Sequence, residues 1–458
     1  MKKFLLTMLL GLLTFPSFAQ VFDFTYEGKT LRYYVIDEDS NEVEVEKSST
    51  LLSGDLIIPS LVNYDNCNYI VTHIANKAFY KCSSLTSVKI PNSVETIGES
   101  AFMYCDNLTS IEIPNSVKTI GESAFIACSS LVSIDVDHEN IHYKSIEGVL
   151  YTENATTLIQ YPMGNNNTSY TIPNSVVSIG AGAFHACSSL TSVEIPNSVE
   201  TIGKYAFMYC NNLTSIEIPN SVKTIGESAF KQCNSLASIV IPNSVETIGE
   251  SAFMYCRGLA SVEISNSVET ICKKMFYGCK SLASVEIPNS VKTIGESAFS
   301  YCHSFISVVI PDNVTIIGTE AFYYCEALRD VTLPANLDEL GYNAFGNCSR
   351  IKKIKYRGRT LVWTDAIMFA DNIYKEATLC VPKGTTSLFQ TVAPWKNFVN
   401  IIEVEYEYSG IDAVEADACE TVEIYNLNGV YVGSDKSNLS TGVYIIRRGD
   451  KVEKIAVK

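Results

Sequence analysis

Eleven cysteines, Cys82, Cys105, Cys128, Cys187, Cys210, Cys233, Cys256, Cys279, Cys302, Cys325 and Cys348, occupy one position of a recurring phrase. Thiols can exchange disulfides, ligate metals or act as nucleophiles. An odd set in a single column cannot pair uniformly without distorting alternate copies, and no histidine accompanies it as a co-ligand. The column therefore reads as one small buried apolar residue repeated by copying. Cys67, Cys272, Cys380 and Cys419 lie off it, and their pairing is open. Of the five histidines, His138 and His142 stand four apart near Asp135, Asp137 and Glu139, a metal-like grouping whose alternative is a solvated polar loop. The chain holds no G-x-S-x-G, H-E-x-x-H, phosphate loop or C-x-x-C, and no carboxylate pair set apart from the copies. The expectation is a non-enzymatic protein with no cofactor and no metal.

Two surface columns offer contact chemistry instead. Glu112, Glu194, Glu217, Glu263 and Glu286 recur at the outward position before the anchor isoleucine, with Lys89, Val240 and Val309 interrupting them. Ser110, Ser192, Ser215, Ser261 and Ser284 run alongside. Carboxylates stacked at strand spacing repel, so the strip is either a hydrated sheet face or a surface matched by a basic protein or a carbohydrate. Tyr104, Tyr209, Tyr255, Tyr301 and Tyr324 precede the ladder cysteine. They either present contact area at low entropy cost or pack between copies.

What positions these columns is a 23-residue period. Ile172, Ile195, Ile218, Ile241, Ile264, Ile287, Ile310 and Leu333 are each 23 apart, and a period in this range signals a solenoid. In the copy that starts at Ile90, the alternation of Ile111 and Ile113 with Ser110 and Glu112 predicts a short strand. Pro114 and Asn115 mark the turn after it. Gly98 and Gly121 mark a positive φ or a close approach of the neighbouring coil. Ala101, Phe102, Cys105 and Leu108, spaced by three or four, predict one helical or 3-10 return. The equivalents of Phe102, from Phe79 to Phe345, should stack as an aromatic spine. One coil departs: Ser265 replaces the proline, Cys272 the glycine and Met275 the alanine, which should strain it or loosen its stacking. Ile113 and Ile172 are 59 apart rather than 23, which marks an insertion.

The ends carry other signals. Lys2 and Lys3, the apolar residues 4–15 and Ser17-Phe18-Ala19 have the three parts of an export leader, so the mature chain is expected to begin at Gln20. Its removal takes the formal charge from −16 to −18, which argues against nucleic acid and anionic lipid and allows basic protein partners. No other stretch reaches the length of a membrane span.

The phrase C-x2-L-x2-I-x-I-P-x2-V-x2-I-G-x2-A-F resembles the BspA-like, or treponemal-class, leucine-rich repeats, and the match covers residues 56–350. The resemblance implies a leucine-rich-repeat solenoid of about eleven coils, made of short parallel strands with tight turns and short helical or 3-10 returns. It also implies a cell-surface or secreted, adhesin-like role toward host proteins or other cells. Residues 22–45 resemble the family's strand cap, residues 377–398 its C-terminal cap, and Asn140, Tyr143, Gly148-Val149-Leu150-Tyr151 and Tyr161-Pro162 its β-hairpin insertion. Ile424-Tyr-Asn-Leu-Asn-Gly429 and Leu439-Ser-Thr-Gly-Val-Tyr-Ile-Ile446 resemble the sorting domains of the type IX (Por) secretion route, which implies export to the outer surface of a Gram-negative bacterium. The expected organisation is therefore a leader at 1–19, a β cap at 20–55, and a solenoid at 56–350 with its hairpin at about 137–171. A second cap follows at 351–405, then a linker and small all-β unit at 406–458. The expected partner is an extracellular or host protein, with a polysaccharide-binding envelope component as the alternative.

Overall fold

The computed structural model describes residues 20–37, 39–47, 51–362 and 368–406, and the strands 422–426, 431–433, 442–448 and 451–457. The leader, Cys419 and most of the linker lie outside the described residues, as do parts of both sorting-like motifs. The fold is a β-solenoid of about 14 stacked turns with almost no helix. The count exceeds eleven because cap segments form turns of their own. Two compact units divide the chain, Met1–Arg257 and Gly258–Lys458.

Each regular coil has three sides. The first side is a strand such as Ser110–Ile113, which pairs in parallel with Ser133–Val136, Ser110 opposite Ser133. Strict alternation buries Ile111 and Ile113 and leaves Ser110 and Glu112 outside. The Pro-Asn-Ser-Val turn follows, and its serine reaches back: the Ser116 hydroxyl donates to the Val94 carbonyl of the coil before at 2.6 Å. The second side is a two-residue strand, Thr96–Ile97, paired in parallel with Thr119–Ile120.

At the corner that follows, the glycine is a matter of space. A Cβ on Gly121 would lie 2.4 Å from the Glu99 nitrogen of the coil before, so the coils approach too closely for any side chain. The third side is the expected return, with a twist. The N–H groups of Ala101, Met103 and Cys105 fold back three residues, as in a 3-10 turn. Those of Ser100, Phe102 and Tyr104 donate instead to Glu122, Ala124 and Ile126 of the next coil. Left-handed backbone at Ser100 (φ 54°) and Tyr104 (φ 64°) alternates the donors and stops a helix from propagating.

The core is a set of ladders. In the first unit Phe79, Phe102 and Phe125 stack at 5.1 and 5.6 Å between ring centroids. A second run passes from Tyr161 through Phe184, Phe207 and Phe230 to Phe253 at 4.9–5.4 Å. In the second unit Phe276, Phe299, Phe322 and Phe345 stack at 5.0–5.4 Å, and Phe369 of the cap extends the run. Each fully buried ring contributes roughly 1.5–3 kcal/mol of burial.

The cysteine column lies in this core and has a second task. Cys105 Sγ donates to the Phe79 carbonyl of the coil before at 3.2 Å, and Cys210 Sγ to that of Phe184 at 3.0 Å. In the second unit Cys302 and Cys348 do the same to Phe276 and Phe322. The Phe79, Phe184 and Phe276 carbonyls also accept an N–H within their own coil, from Cys82, Cys187 and Cys279, so the thiol occupies the second lone pair.

The first unit opens with antiparallel strands Val21–Tyr26, Lys29–Asp37 and Glu42–Glu46. The last of these runs parallel to Cys67–Ile74, which begins the second-side ladder. The irregular stretch after Val136 holds a hairpin, Tyr143–Ile146 with Val149–Thr152. The chain then rejoins the stack: Thr157–Gln160 pairs with Ser178–Ile179, Tyr161 takes the phenylalanine slot, and Ser169–Thr171 pairs with Ser192–Glu194. Buried Asn140 ties this stretch to the coil before it. Its amide donates to the Pro114 and Val117 carbonyls, and its carbonyl accepts from the His142 and Tyr143 N–H groups.

In the second unit the coil with Ser265, Cys272 and Met275 takes Met275 fully into the core and keeps its turn through Val268 N–H to Ser265 O. Residues 284–286 of the next coil form no strand. The first-side ladder resumes at Ser307–Val309 and runs in parallel through Asp330–Leu333, Lys353–Tyr356 and Thr378–Pro382 to Asn400–Val404. Trp395, fully buried, closes this end with its indole N–H on the Val362 carbonyl. Beyond it lies a small antiparallel sheet, ordered Tyr431–Gly433, Val422–Asn426, Gly442–Arg448, Lys451–Val457.

Candidate binding faces

On the first side, Glu112, Glu194 and Glu217 in one unit and Glu263 and Glu286 in the other are all exposed, as strand alternation requires. Among the described residues none of the five forms an ion pair. Glu112 stands opposite Asp135 in the strand register, and Glu194 accepts only a hydroxyl, from Thr171 at 3.1 Å. Of the interrupting residues, Val240 and Val309 are more than half exposed.

The second side handles charge differently. Glu95 pairs with Lys118 at 2.8 Å and Glu200 with Lys223 at 2.9 Å in the first unit, and Glu269 with Lys292 at 2.9 Å in the second. Just past the corner, Lys204 meets Glu227 and Lys273 meets Glu296. In each pair the partners come from neighbouring coils. The Lys204 ammonium, hydrogen-bonded to Glu227, holds that carboxyl below its usual range, and the lysine is raised in return.

The five tyrosines share one backbone state that their spacing did not disclose. Tyr104, Tyr209, Tyr255, Tyr301 and Tyr324 all have φ between 60° and 66°, in the left-handed region. All are half-buried. The rings pack against neighbours and keep an exposed portion. Tyr104 meets Tyr80 edge-on at 5.7 Å beneath Lys81, Tyr209 meets His185, and Tyr301 stacks on Tyr324 at 5.3 Å.

No curated protein matches the chain. Residues 65–162, 160–281 and 246–372 match the model of the BspA type leucine-rich repeat region. The chain belongs to the BspA-type leucine-rich repeat family. Solved structures similar to this BspA-type protein include a leucine-rich repeat protein from Bacteroides ovatus, 30% identical over 73% of this chain and 95% of that one, with a TM-score of 0.39. Another, from Eubacterium ventriosum, is 20% identical over 69% and 92%, with a TM-score of 0.46. A leucine rich cell surface protein from Faecalibacterium prausnitzii is 22% identical over 68% and 94%, with a TM-score of 0.30. BspA-type repeat proteins are cell-surface or secreted, and their role is binding. No helix among the described residues is long and apolar enough to cross a membrane.

The remaining chemistry-bearing residues of the BspA-type chain do not converge. His138 is almost fully exposed beside Asp137, whose carboxylate also caps the Glu139 N–H, while the His142 N–H is held by Asn140. Among the described residues no three His, Cys, Asp or Glu side chains gather as metal ligands. A shallow recess is lined by Ala335, Asn336, Arg359 and Thr360, with no carboxylate, imidazole or thiol. Four of the column thiols are far from reactive, since burial pushes Cys128 and Cys210 up to about 12 and Cys105 and Cys302 upward too. Two features escaped the sequence reading: the charge pairing of the second side and the left-handed tyrosines. The first had a visible signal, since Val-Glu-Thr at 94–96, 199–201 and 268–270 is followed one copy on by Val-Lys-Thr at 117–119, 222–224 and 291–293, although Val-Glu-Thr at 245–247 precedes another Val-Glu-Thr.

Proposed function

We propose that this chain is a secreted or outer-surface, adhesin-like protein of a Gram-negative bacterium that binds a basic region of an extracellular or host protein through its first side. The observation that carries the reading is the contrast in charge. On the second side Glu95, Glu200 and Glu269 each pair with a lysine of the next coil, whereas among the described residues Glu112, Glu194, Glu217, Glu263 and Glu286 form no ion pair. A partner that supplies lysine or arginine relieves that repulsion and steers association electrostatically. Exposed Val240 and Val309 add apolar contact within the same strips. The leader and the C-terminal motifs support delivery to the surface.

The test is a binding panel with the full mature chain against lysozyme, histone and extracellular-matrix proteins at graded ionic strength. Binding to basic proteins that weakens with salt, and is lost when Glu112, Glu194 and Glu217 are all changed to glutamine, is the expected result. Binding indifferent to both salt and these substitutions, or none at all, would overturn it.

A further inference from the structure

The first side of the second unit changes character from coil to coil. Its outward residues in the Val309 column are Glu263, Glu286, Val309, Thr332 and Lys355. Those in the Ile306 column are Ala260, Ala283, Ile306, Arg329 and Lys352. Backbone bonds hold this second column in register, from Ile306 N–H to Ala283 O at 2.9 Å and from Arg329 N–H to Ile306 O at 2.8 Å. The middle coil is apolar on this face, with Ile306 50% and Val309 57% exposed. Before it stand the exposed carboxylates Glu263 and Glu286. After it stand Arg329, Lys352, Lys353 and Lys355, with Asp330 the one carboxylate in segments 329–333 and 352–356. Of these cations Lys352 also meets Glu376 at 3.1 Å. At the corner leading into the face the order is reversed: exposed Lys280 precedes His303 and exposed Glu326 follows it.

We propose that this face pairs with a second copy of this chain, in a two-fold dimer whose coils run in opposite order. A half-turn about an axis along the strands, through the coil of Ile306 and Val309, keeps each column on itself and reverses the coils. Ile306 then meets Ile306 and Val309 meets Val309, which buries both aliphatic side chains of each copy. Glu263 meets Lys355 in one column, and Lys280 meets Glu326 at the corner. In the Ile306 column Arg329 and Lys352 lie over the small Ala283 and Ala260, so size is matched as well as charge. Strand directions stay aligned, as they do where sheets pack face to face. Keeping the coils in the same order would bring the carboxylate coils of the two copies together and the lysine coils together, which like charge disfavours. A purely basic partner meets Arg329 and Lys352, and a purely acidic one meets Glu263 and Glu286. A second copy presents both signs in the reversed order. The five coils span about 19 Å at strand spacing, short of a standard interface, so the dimer is a reversible one. The pairing goes beyond basic-protein binding and leaves Glu112, Glu194 and Glu217, which belong to the other unit, to that role.

The experiment is sedimentation velocity of the full mature chain from about 2 to about 200 µM, at low salt and near 1 M salt. A monomer–dimer equilibrium that weakens in salt is expected. Val309→Asp sets two carboxylates face to face at the axis and should weaken dimerisation by about tenfold or more at an unchanged melting temperature. Glu263→Lys with Glu286→Lys should abolish it, and so should Arg329→Glu with Lys352→Glu. An equimolar mixture of these two double variants should dimerise, because each offers the charge that the other lacks. A merely structural effect of the substitutions gives no such recovery. The variant with glutamine at Glu112, Glu194 and Glu217 should dimerise like the parent, so failure of the basic-protein reading and failure of this one are distinguishable. A monomer throughout the range, Val309→Asp dimerising like the parent, or a mixture that stays monomeric would overturn the proposal. Oligomers that keep growing with concentration would also overturn it, since a two-fold contact closes on itself.

Discussion

The first and second sides of each coil are cut from the same copied phrase, yet they treat charge in opposite ways. Lys118 answers Glu95 across neighbouring coils of the second side, whereas on the first side Glu194 is followed by Glu217 with no cation between them. Exposed ion pairs contribute little to stability, commonly under about 1 kcal/mol. Their value on the second side is discrimination: where the sign alternates, as at Glu95–Lys118 and Glu200–Lys223, near-identical neighbours are told apart, which disfavours a slip by one whole repeat. The first side does without such pairs because stability resides underneath, in the phenylalanine and cysteine ladders. Surface charge is thereby released for register on one side and for contact on the other.

The comparison holds only while the shared support is intact, so the largest expected effect comes from alkali. Burial pushes Cys128 and Cys210 up to about 12 from an ordinary value near 9, which means the folded state keeps these thiols protonated where the unfolded chain sheds the proton. Below pH 9 both states hold the proton and the stabilisation is complete. As pH rises from 9 toward 12 it is lost, at roughly 1.4 kcal/mol per pH unit for each such thiol. Urea unfolding at pH 8, 9, 10 and 11 should show the midpoint falling steeply above 9, with thiol labelling appearing only as the protein unfolds. Rapid labelling of the column cysteines at pH 8 in the folded protein would contradict the buried ladder.

A smaller but still severe effect is expected from the corner that ends the second side. Gly121→Ala places a Cβ only 2.4 Å from the Glu99 nitrogen, and backbone cannot swing aside as a side chain can. The cost should be roughly 3 kcal/mol, the upper part of the usual range for overpacking. Ser110→Ala, exposed on the first side of the preceding coil, should change stability by less than about 0.5 kcal/mol. Calorimetric melting of the two variants measures how unequally the two sides limit the approach of coils.

The sequence made the period, the buried positions and the exposure of the glutamates legible, because ladder packing forces every copy to repeat the same apolar residues. Phe102 and Cys105 could be placed in the core on that ground alone. What stayed hidden depends on backbone direction. Nothing in the residue types says that Cys105 Sγ points at the Phe79 carbonyl, or that tyrosine occupies a left-handed slot it seldom favours. Tyr161 belongs to the spine and lies 23 residues before Phe184 but 36 after Phe125, so only a count back from Phe184 finds it. Asn140 reads as one polar loop residue among several, and only its four hydrogen bonds reveal a staple.

The finest test of the contrast swaps charge on each side and reads the sign. Lys118→Glu sets a second carboxylate against Glu95 and should lower stability by up to about 1 kcal/mol at low salt. Glu217→Lys sets a cation beside Glu194 and should raise the melting temperature slightly, by relief of repulsion and a new inter-coil pair. Both shifts should vanish near 1 M salt, where the screening length falls to about 3 Å. The opposite signs matter more than the sizes. If Glu217→Lys destabilises as Lys118→Glu does, the first-side glutamates are already matched within the fold, and the strip has no free charge to offer a partner. If it stabilises while weakening attachment to lysozyme or histone, the repulsion kept in the native strip is stability given up for binding.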